Sequence, residues 1–337
     1  MDLLEQLINA FGVSGSEGII RKIIIKEIKK HVNELHVDKS GNIIAHKKGK
    51  RPRVMLAAHM DEIGLIVKNI DPLGRVYFST LGGMDPLSLI GQRVSVDTVK
   101  GLVYGVITMD NMSNAFDIEN KPRLNELFVD TGLSKNDLIK IGVKTGDYIY
   151  FKRKAIKLGT KDLISGKALD DRVGCYILIE LAKRLKKIKE EIYFVFTVQE
   201  EVGLYGAKTS AYKIDPDWAI AVDVTNSDDF TPDCTIKLGG GPCITIKDAE
   251  MIGDHVINSW IMKLTKKNKM PLQLDVSDFG TTDALSIAIS KEGVPATAIT
   301  VPVRNLHSTI GIVNRNDMNN AIKLLELLLK DPPKIKF

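Results

Sequence analysis

The 337-residue chain predicts an α/β fold: a three-layer unit around a mainly parallel sheet, interrupted by a small β-barrel-like insertion. Two observations carry this. Toward both ends, short and nearly continuous apolar runs alternate with segments of helical period, the pattern of strands buried under helices on both faces. Between about 70 and 158 that alternation gives way to short β-like runs broken by Gly, Asp and Pro. The expected division is therefore 1–69 plus 159–337 for the α/β unit and 70–158 for the insertion.

The elements follow in order. Residues 2–11 and 17–31 space their apolar side chains as helices do, with Ser14 or Ser16 available to cap the second. Strands at 34–37 and 43–46 flank Asp38-Lys39-Ser40-Gly41-Asn42, which is turn chemistry. The run 53–59 reads as a strand buried on both faces. In the insertion, 76–79, 93–96, 103–107 and 148–151 read as strands, and only 135–141 as a helix. Beyond it come helix 171–185, strand 192–198, helix 206–212 and strands 219–224 and 244–247. Helices 254–268 and 282–290, strand 296–301 and helix 317–330 complete the chain.

Bulk properties exclude several classes. The formal charge of +5 is scattered rather than striped, so nothing points to nucleic acid. No apolar run is long enough to span a bilayer, and Met1-Asp2-Leu3-Leu4-Glu5 lacks the basic and apolar regions of a secretory leader. Cys175, Cys234 and Cys243 have no C-x-x-C spacing and are expected as buried, reduced thiols of a cytoplasmic protein.

Five segments carry the chemistry: Ala58-His59-Met60-Asp61, Leu169-Asp170-Asp171-Arg172, Gln199-Glu200-Glu201-Val202, Val222-Asp223-Val224 and Leu306-His307-Ser308. All fall at or just after predicted strands or at a helix start. Two imidazoles and several carboxylates form the ligand set of a pair of divalent ions such as zinc, cobalt or manganese. Such a pair lowers the pKa of a bound water and polarises a carbonyl, which is equipment for hydrolysis.

Strand alternation puts His59 and Asp61 on one side, so Asp61 is placed to accept a hydrogen bond from the second ring nitrogen of His59. Of the adjacent acids at the next helix start, Asp170 is assigned as the bridge between two cations and Asp171 to capping or support. Glu200 and Glu201 point in different directions, so one serves as ligand and the other as general base. Asp223, between two valines, is expected to be buried and so needs a partner or a metal. His307 is the second imidazole, whereas His31, His36, His46 and His255 read as surface residues. Nucleophilic catalysis fits poorly, because no Gly-x-Ser-x-Gly elbow occurs and Cys175 lies inside a predicted helix. Gly239-Gly240-Gly241-Pro242 lacks the Gly-Lys-Ser/Thr of a phosphate loop and reads as a turn.

Together these segments resemble the M42 family of metallo-aminopeptidases through nearly the whole chain. That family includes tetrahedral and glutamyl aminopeptidases and members named as endoglucanases. The segments 89–94 and 142–147 resemble its β-rich insertion. The resemblance implies one ion held by His59, Asp170 and Asp223 and a second held by Asp170, Glu201 and His307. It also implies Glu200 as general base, Asp61 as the partner of His59, and zinc or cobalt as the metal. Peptides are the implied substrates, losing N-terminal residues, and dimers joined into a dodecamer through the insertion are the implied assembly. The chain departs from the family at Asn305, where Tyr is common, and at Ser308 to Gly311, where an acid usually follows the last histidine. It departs again at Thr281 and at 108–112, where the family has Gly and a Lys-Pro-Pro-His segment.

Competing readings share or lose this site. A related metal-dependent amidohydrolase or deacylase would use it on another acyl amide. Glycoside hydrolysis needs two carboxylates flanking a sugar bond, and here the acids are committed as ligands. A non-catalytic assembly protein would be expected to have a broken ligand set, and none is broken.

Overall fold

A computed structural model describes residues 2–110, 112, 121–160, 162–186, 188–227 and 229–335. Asn111, in the divergent 108–112 segment, lies outside them.

An eleven-stranded sheet forms the centre. Its middle is parallel: β12 (Glu190–Thr197), β3 (Lys50–His59), β13 (Trp218–Asn226) and β16 (Ala296–Arg304) lie side by side. Antiparallel strands extend it at both edges. On one side are β2 (Ile43–Lys47) and β1 (Glu34–Val37); on the other are β17 (Gly311–Asn314), β11 (Leu163–Gly166) and β10 (Ile156–Leu158). Strand β14 (Cys243–Lys247) branches from β16 and carries β15 (Gln273–Val276). The sheet is thus parallel at its core, as the apolar runs predict, and mixed as a whole.

Strand alternation sorts the core into layers. Val54, Leu56 and Ala58 of β3 join one apolar cluster, while Met55 and Ala57 join another on the opposite face. The first face packs α1 (Leu3–Asn9), α2 (Gly18–Ile28), α5 (Leu169–Arg184) and α9 (Arg315–Lys330), with α7 (His255–Lys267) beside them. In α2, Ile20, Ile24 and Ile28 recur every fourth residue and are fully buried, each worth about 1.5–3 kcal/mol of transfer free energy. The second face is lined by alanines and takes the short helices α6 (Tyr205–Ile214) and α8 (Asp283–Ala288) at close range.

The insertion closes into a six-stranded antiparallel barrel. The order is β4 (Gly64–Ile70), β5 (Val76–Leu81), β8 (Leu127–Asp130), β7 (Gly101–Met109), β6 (Arg93–Thr98) and β9 (Tyr148–Phe151). Alternate residues fill it, as in the pairs Leu65/Val67, Val76/Phe78, Val94/Val96 and Leu127/Val129. Strands β4 and β8, and outside the barrel β10, β11, β15 and β17, escape the sequence reading, as does α3 (Pro86–Leu89), whose start is marked by Asp85 accepting from the Leu87 amide. Helix α4 (Lys135–Lys140) falls where expected.

Three expectations change in detail. Strand β3 begins before Pro52, near an irregularity in its pairing with β12, because a ring without N–H is tolerated at a strand start. His46 is not a free surface residue: cross-strand pairing stacks it on Tyr193 at 4.3 Å, with Nε2 3.0 Å from Glu191. Cys175 and Cys243 are buried, but Cys234 is only half-buried. All three thiols are free. The Gly239–Gly241 turn is held by Asp317, which accepts from both glycine amides. No helix among the described residues is long and apolar enough to cross a membrane.

Candidate active site

The carboxyl ends of the parallel strands gather the acids and imidazoles at one edge of the sheet, where α/β folds place ligands. His59 is the last residue of β3, and its register partner on β12 is Thr197, three residues before Glu200. Asp223 lies within the carboxyl half of β13, and His307 follows β16 by three residues. Asp170 enters from the start of α5, where Asp170 and Asp171 are not yet helical (ψ 109° and 50°). Asp171 Oδ1 accepts from the Gly174 amide at 2.8 Å, the capping role expected of it.

All seven sequence-selected residues converge. His59 Nε2 lies 2.7 Å from Asp170 Oδ1, 3.8 Å from Asp223 Oδ1 and 3.9 Å from Glu200 Oε2. His307 Nε2 lies 3.4 Å from Asp170 Oδ2 and 3.8 Å from Glu201 Oε2. Two donor groups result, His59–Asp170–Asp223 and Asp170–Glu201–His307, each with ligand atoms within 4.8 Å of one another. Asp170 belongs to both, presenting one oxygen to each histidine.

Asp61 sits beneath this cluster, fully buried. Its Oδ1 is 3.5 Å from His59 Nδ1, a charge contact too long for a good hydrogen bond, and Nδ1 makes none among the described residues. The carboxylate instead accepts from the Glu200 amide (3.1 Å), the Glu201 amide (3.3 Å) and Ser14 Oγ (2.6 Å). It therefore sets the turn that follows β12, beginning with Gln199 in the left-handed region at φ 54°.

Electrostatics divide the acids. Burial first, and then Asp223, Asp283 and Glu201, push the Glu200 carboxyl well above its usual range against the pull of His59. Burial, with Asp170, raises Glu201 to about 8 and Asp223 to about 7. Asp170 is lowered despite burial, because both histidines face it. His307 is raised to about 9, chiefly by Asp170.

Several supporting residues escape sequence reasoning. Thr197 donates to the buried Asp283, whose other oxygen has no partner among the described residues and whose carboxyl burial raises to about 6. In the sequence Asp283 is only a first-turn acid of α8, and nothing in its spacing says that it turns inward. Glu62 accepts from Lys167 Nζ at 2.6 and 2.7 Å and from the Gly12 amide, a buried pair that ties the exit of β3 to the N-terminal segment. Cys175 donates to the His59 carbonyl. From the loop after β5, the Gly83 carbonyl lies 3.0 Å from His307 Nδ1. At Gly82 a Cβ would come within 2.8 Å of Glu201 Oε2.

A cavity of about 530 Å³ opens over His59, Asp170, Glu200, Asp223 and His307. Acids and imidazoles clustered under a cavity at the carboxyl edge of an α/β sheet are the equipment of a hydrolase. The chain belongs to the M42 glutamyl aminopeptidase family, whose model matches residues 41–324, and it is a peptidase. It is 34% identical over 347 residues to the lysyl aminopeptidase of Pyrococcus furiosus, with 100% of this chain and 98% of the relative covered. Among solved structures it is similar to an aminopeptidase from the archaeon Desulfurococcus kamchatkensis (TM-score 0.93, 38% identity, 98% and 94% of the two chains). It is also similar to the Pyrococcus horikoshii TET1 peptidase, which can assemble into a tetrahedron or a large octahedral shell (TM-score 0.88, 34% identity, 97% and 98%).

Proposed function

We propose that the protein is a two-metal aminopeptidase that removes N-terminal residues from peptides in the cytoplasm. The observation that carries this is Asp170, shared between two donor groups that are each compact enough for one ion.

The residues fit divalent cations. The Gly83 carbonyl can only accept, so His307 Nδ1 carries a proton and Nε2 turns toward Asp170 and Glu201. A ring nitrogen and two carboxylates aimed at one point suit a cation. Glu201 Oε1 and Asp171 Oδ2 are buried without hydrogen-bond partners among the described residues. So many buried acids also need more positive charge than two imidazoles supply.

His59, Asp170 and Asp223 would hold one ion and Asp170, Glu201 and His307 the other; the donors suit zinc, cobalt or manganese, and membership of the family favours zinc or cobalt. Bound there, the ions supply Lewis-acid polarisation of the scissile carbonyl and acidify the attacking water. Glu200 is assigned as general base: its carboxylate takes the proton of the water at Oε2 and returns it to the leaving amine nitrogen. Asp61 positions it through the Glu200 amide. Three free cysteines support the cytoplasmic assignment.

The central-sheet unit would then be catalytic and the barrel an assembly unit building dimers into a dodecamer; the expected bounds of 1–69 plus 159–337 and 70–158 shift, because β4 (Gly64–Ile70) opens the barrel and β10 (Ile156–Leu158) already belongs to the central sheet. An outward row on β7, Leu102, Tyr104 and Val106, leaves apolar surface exposed on the barrel and supports that role.

The test is hydrolysis of aminoacyl chromogenic amides by zinc- or cobalt-loaded protein, with and without chelator. Cleavage abolished by chelator and by N-acetylation of the substrate is expected. Turnover that survives chelation would sink the metal assignment, and efficient cleavage of acetylated amides would favour an amidohydrolase or deacylase.

A further inference from the structure

One side chain of the barrel reaches the N-terminal segment that runs beside the site. Tyr150, on β9 and 2% exposed, stacks its ring on Phe11 with centroids 4.8 Å apart and planes 12° from parallel. Its hydroxyl lies 2.8 Å from Ser16 Oγ and 3.1 Å from Asp97 Oδ2 on β6. The phenol donates to Asp97, so Ser16 is the donor to the phenol. Tyr150 thus fastens both ends of the turn from Phe11 to Ser16.

Between those ends stands Ser14, 4% exposed, whose Oγ donates to Asp61 at 2.6 Å. The turn is also held from the other side. Gly12 O accepts the Glu62 amide at 3.0 Å, and the Gly12 amide donates to the Glu62 carboxylate at 3.1 Å. Space around it is tight: a Cβ on Gly15, at φ +85°, would lie 2.7 Å from Tyr148 Oη, and one on Gly64 would lie 2.1 Å from Val13 Cγ1. Neither serine takes the capping role that its place before α2 suggests, because that helix starts after Glu17 with no side-chain cap. Both hydroxyls are spent on joining the turn to its neighbours. From Ser14 the contacts continue through Asp61 to the Glu200 and Glu201 amides.

We propose that Tyr150 is a positioning residue of the site: by clamping the Phe11–Ser16 turn it holds Ser14 against Asp61, and through Asp61 it holds the turn that carries Glu200 and Glu201. For its catalytic consequence the inference rests on the aminopeptidase reading, and it goes beyond that reading by making a barrel side chain part of the site. A general base acts only within hydrogen-bond reach of its proton, so a looser main chain at Glu200 slows the chemical step without weakening substrate binding.

Two variants cut the same bond. Tyr150→Phe keeps the ring stack and deletes the hydroxyl, and Ser16→Ala removes the donor from outside the barrel should thermal unfolding show the first to be misfolded. Each is expected to lower kcat of the metal-loaded full chain on an aminoacyl 4-nitroanilide about threefold to thirtyfold, with KM within about twofold. Val129→Ala is the control: it loosens the barrel core on β8 away from the turn, and kcat should stay within about twofold. Amide hydrogen exchange reads the link without turnover. Peptides spanning 199–203 should exchange about tenfold faster in both variants and at the parent rate in Val129→Ala. Parent kcat and exchange in the folded variants, a loss carried wholly by KM, or an equal effect of Val129→Ala overturns the proposal. Faster exchange at 200 and 201 in a protein that hydrolyses no aminoacyl amide would overturn the aminopeptidase reading and leave the clamp standing.

Discussion

Asp61 Oδ1 accepts the backbone N–H of Glu200 at 3.1 Å, so the acid assigned as base is positioned through its main chain by the carboxylate that also faces His59. The two residues are 139 apart in sequence. Residues that orient a metal-binding shell are worth about 10–100-fold in metal affinity or activity. Asp61→Ala should therefore lose activity and metal by about that factor, measured by metal titration and kcat together. Ser14→Ala removes only one donor to the same carboxylate and should cost about 1 kcal/mol of unfolding free energy. A larger activity loss in Ser14→Ala than in Asp61→Ala would contradict this hierarchy.

Glu200→Gln keeps the side-chain shape and removes the proton acceptor. Its expected effect is a roughly hundred- to ten-thousandfold fall in kcat with metal content unchanged. Elemental analysis beside kinetics checks both halves; a mutant that loses its metal would make Glu200 a ligand instead.

Gly82→Ala should weaken the second donor group. The added Cβ would approach both Glu201 Oε2 and Ile63 Cγ2 at 2.8 Å, at a backbone φ of +86° that already disfavours a side chain. Gly91→Ala is the control, having φ +78° but open space around its Cβ. Both should lose about 1 kcal/mol or more through backbone strain. Only Gly82→Ala should also bind the second equivalent of metal more weakly in calorimetry.

Chelated protein should lose stability as pH rises from 5 to 9. Asp223 and Glu201, raised to about 7 and about 8, keep protons in the folded state that the unfolded chain releases near the ordinary carboxyl values of 3.8 and 4.5. His307, raised to about 9, keeps its proton beyond 6.5. The folded state thus binds more protons than the unfolded one across this window, and stability falls as they leave. Asp170 and Asp61 are lowered, so their contribution is instead lost as pH falls in the acid range. Zinc should reverse the slope, because it favours the deprotonated ligands. Thermal unfolding at several pH values, with chelator and with zinc, checks both signs.

The residues that converge at the site were legible in the sequence because acids and imidazoles stand out at strand ends, and strand ends follow from apolar runs such as 53–59 and 192–198. Residues that act through the main chain or through inward rotamers were not. Asp283 reads as an ordinary first-turn acid, although it turns toward Thr197. Strand β4 directly follows the His59–Asp61 segment, so its apolar residues look like a continuation of β3 rather than the opening of a barrel. The antiparallel strands at the sheet edges share the β-branched composition of the centre, and composition carries no strand direction.

The Gly83 carbonyl beside His307 has a consequence for heredity. The oxygen belongs to the main chain, so no substitution can delete it. What must be preserved is the path of the loop between β5 and α3, a shape that many sequences can draw. One half of the proposed centre thus leans on the barrel through a contact with no letter of its own. Excising the barrel would remove the proposed assembly surface and unseat a histidine in a single cut.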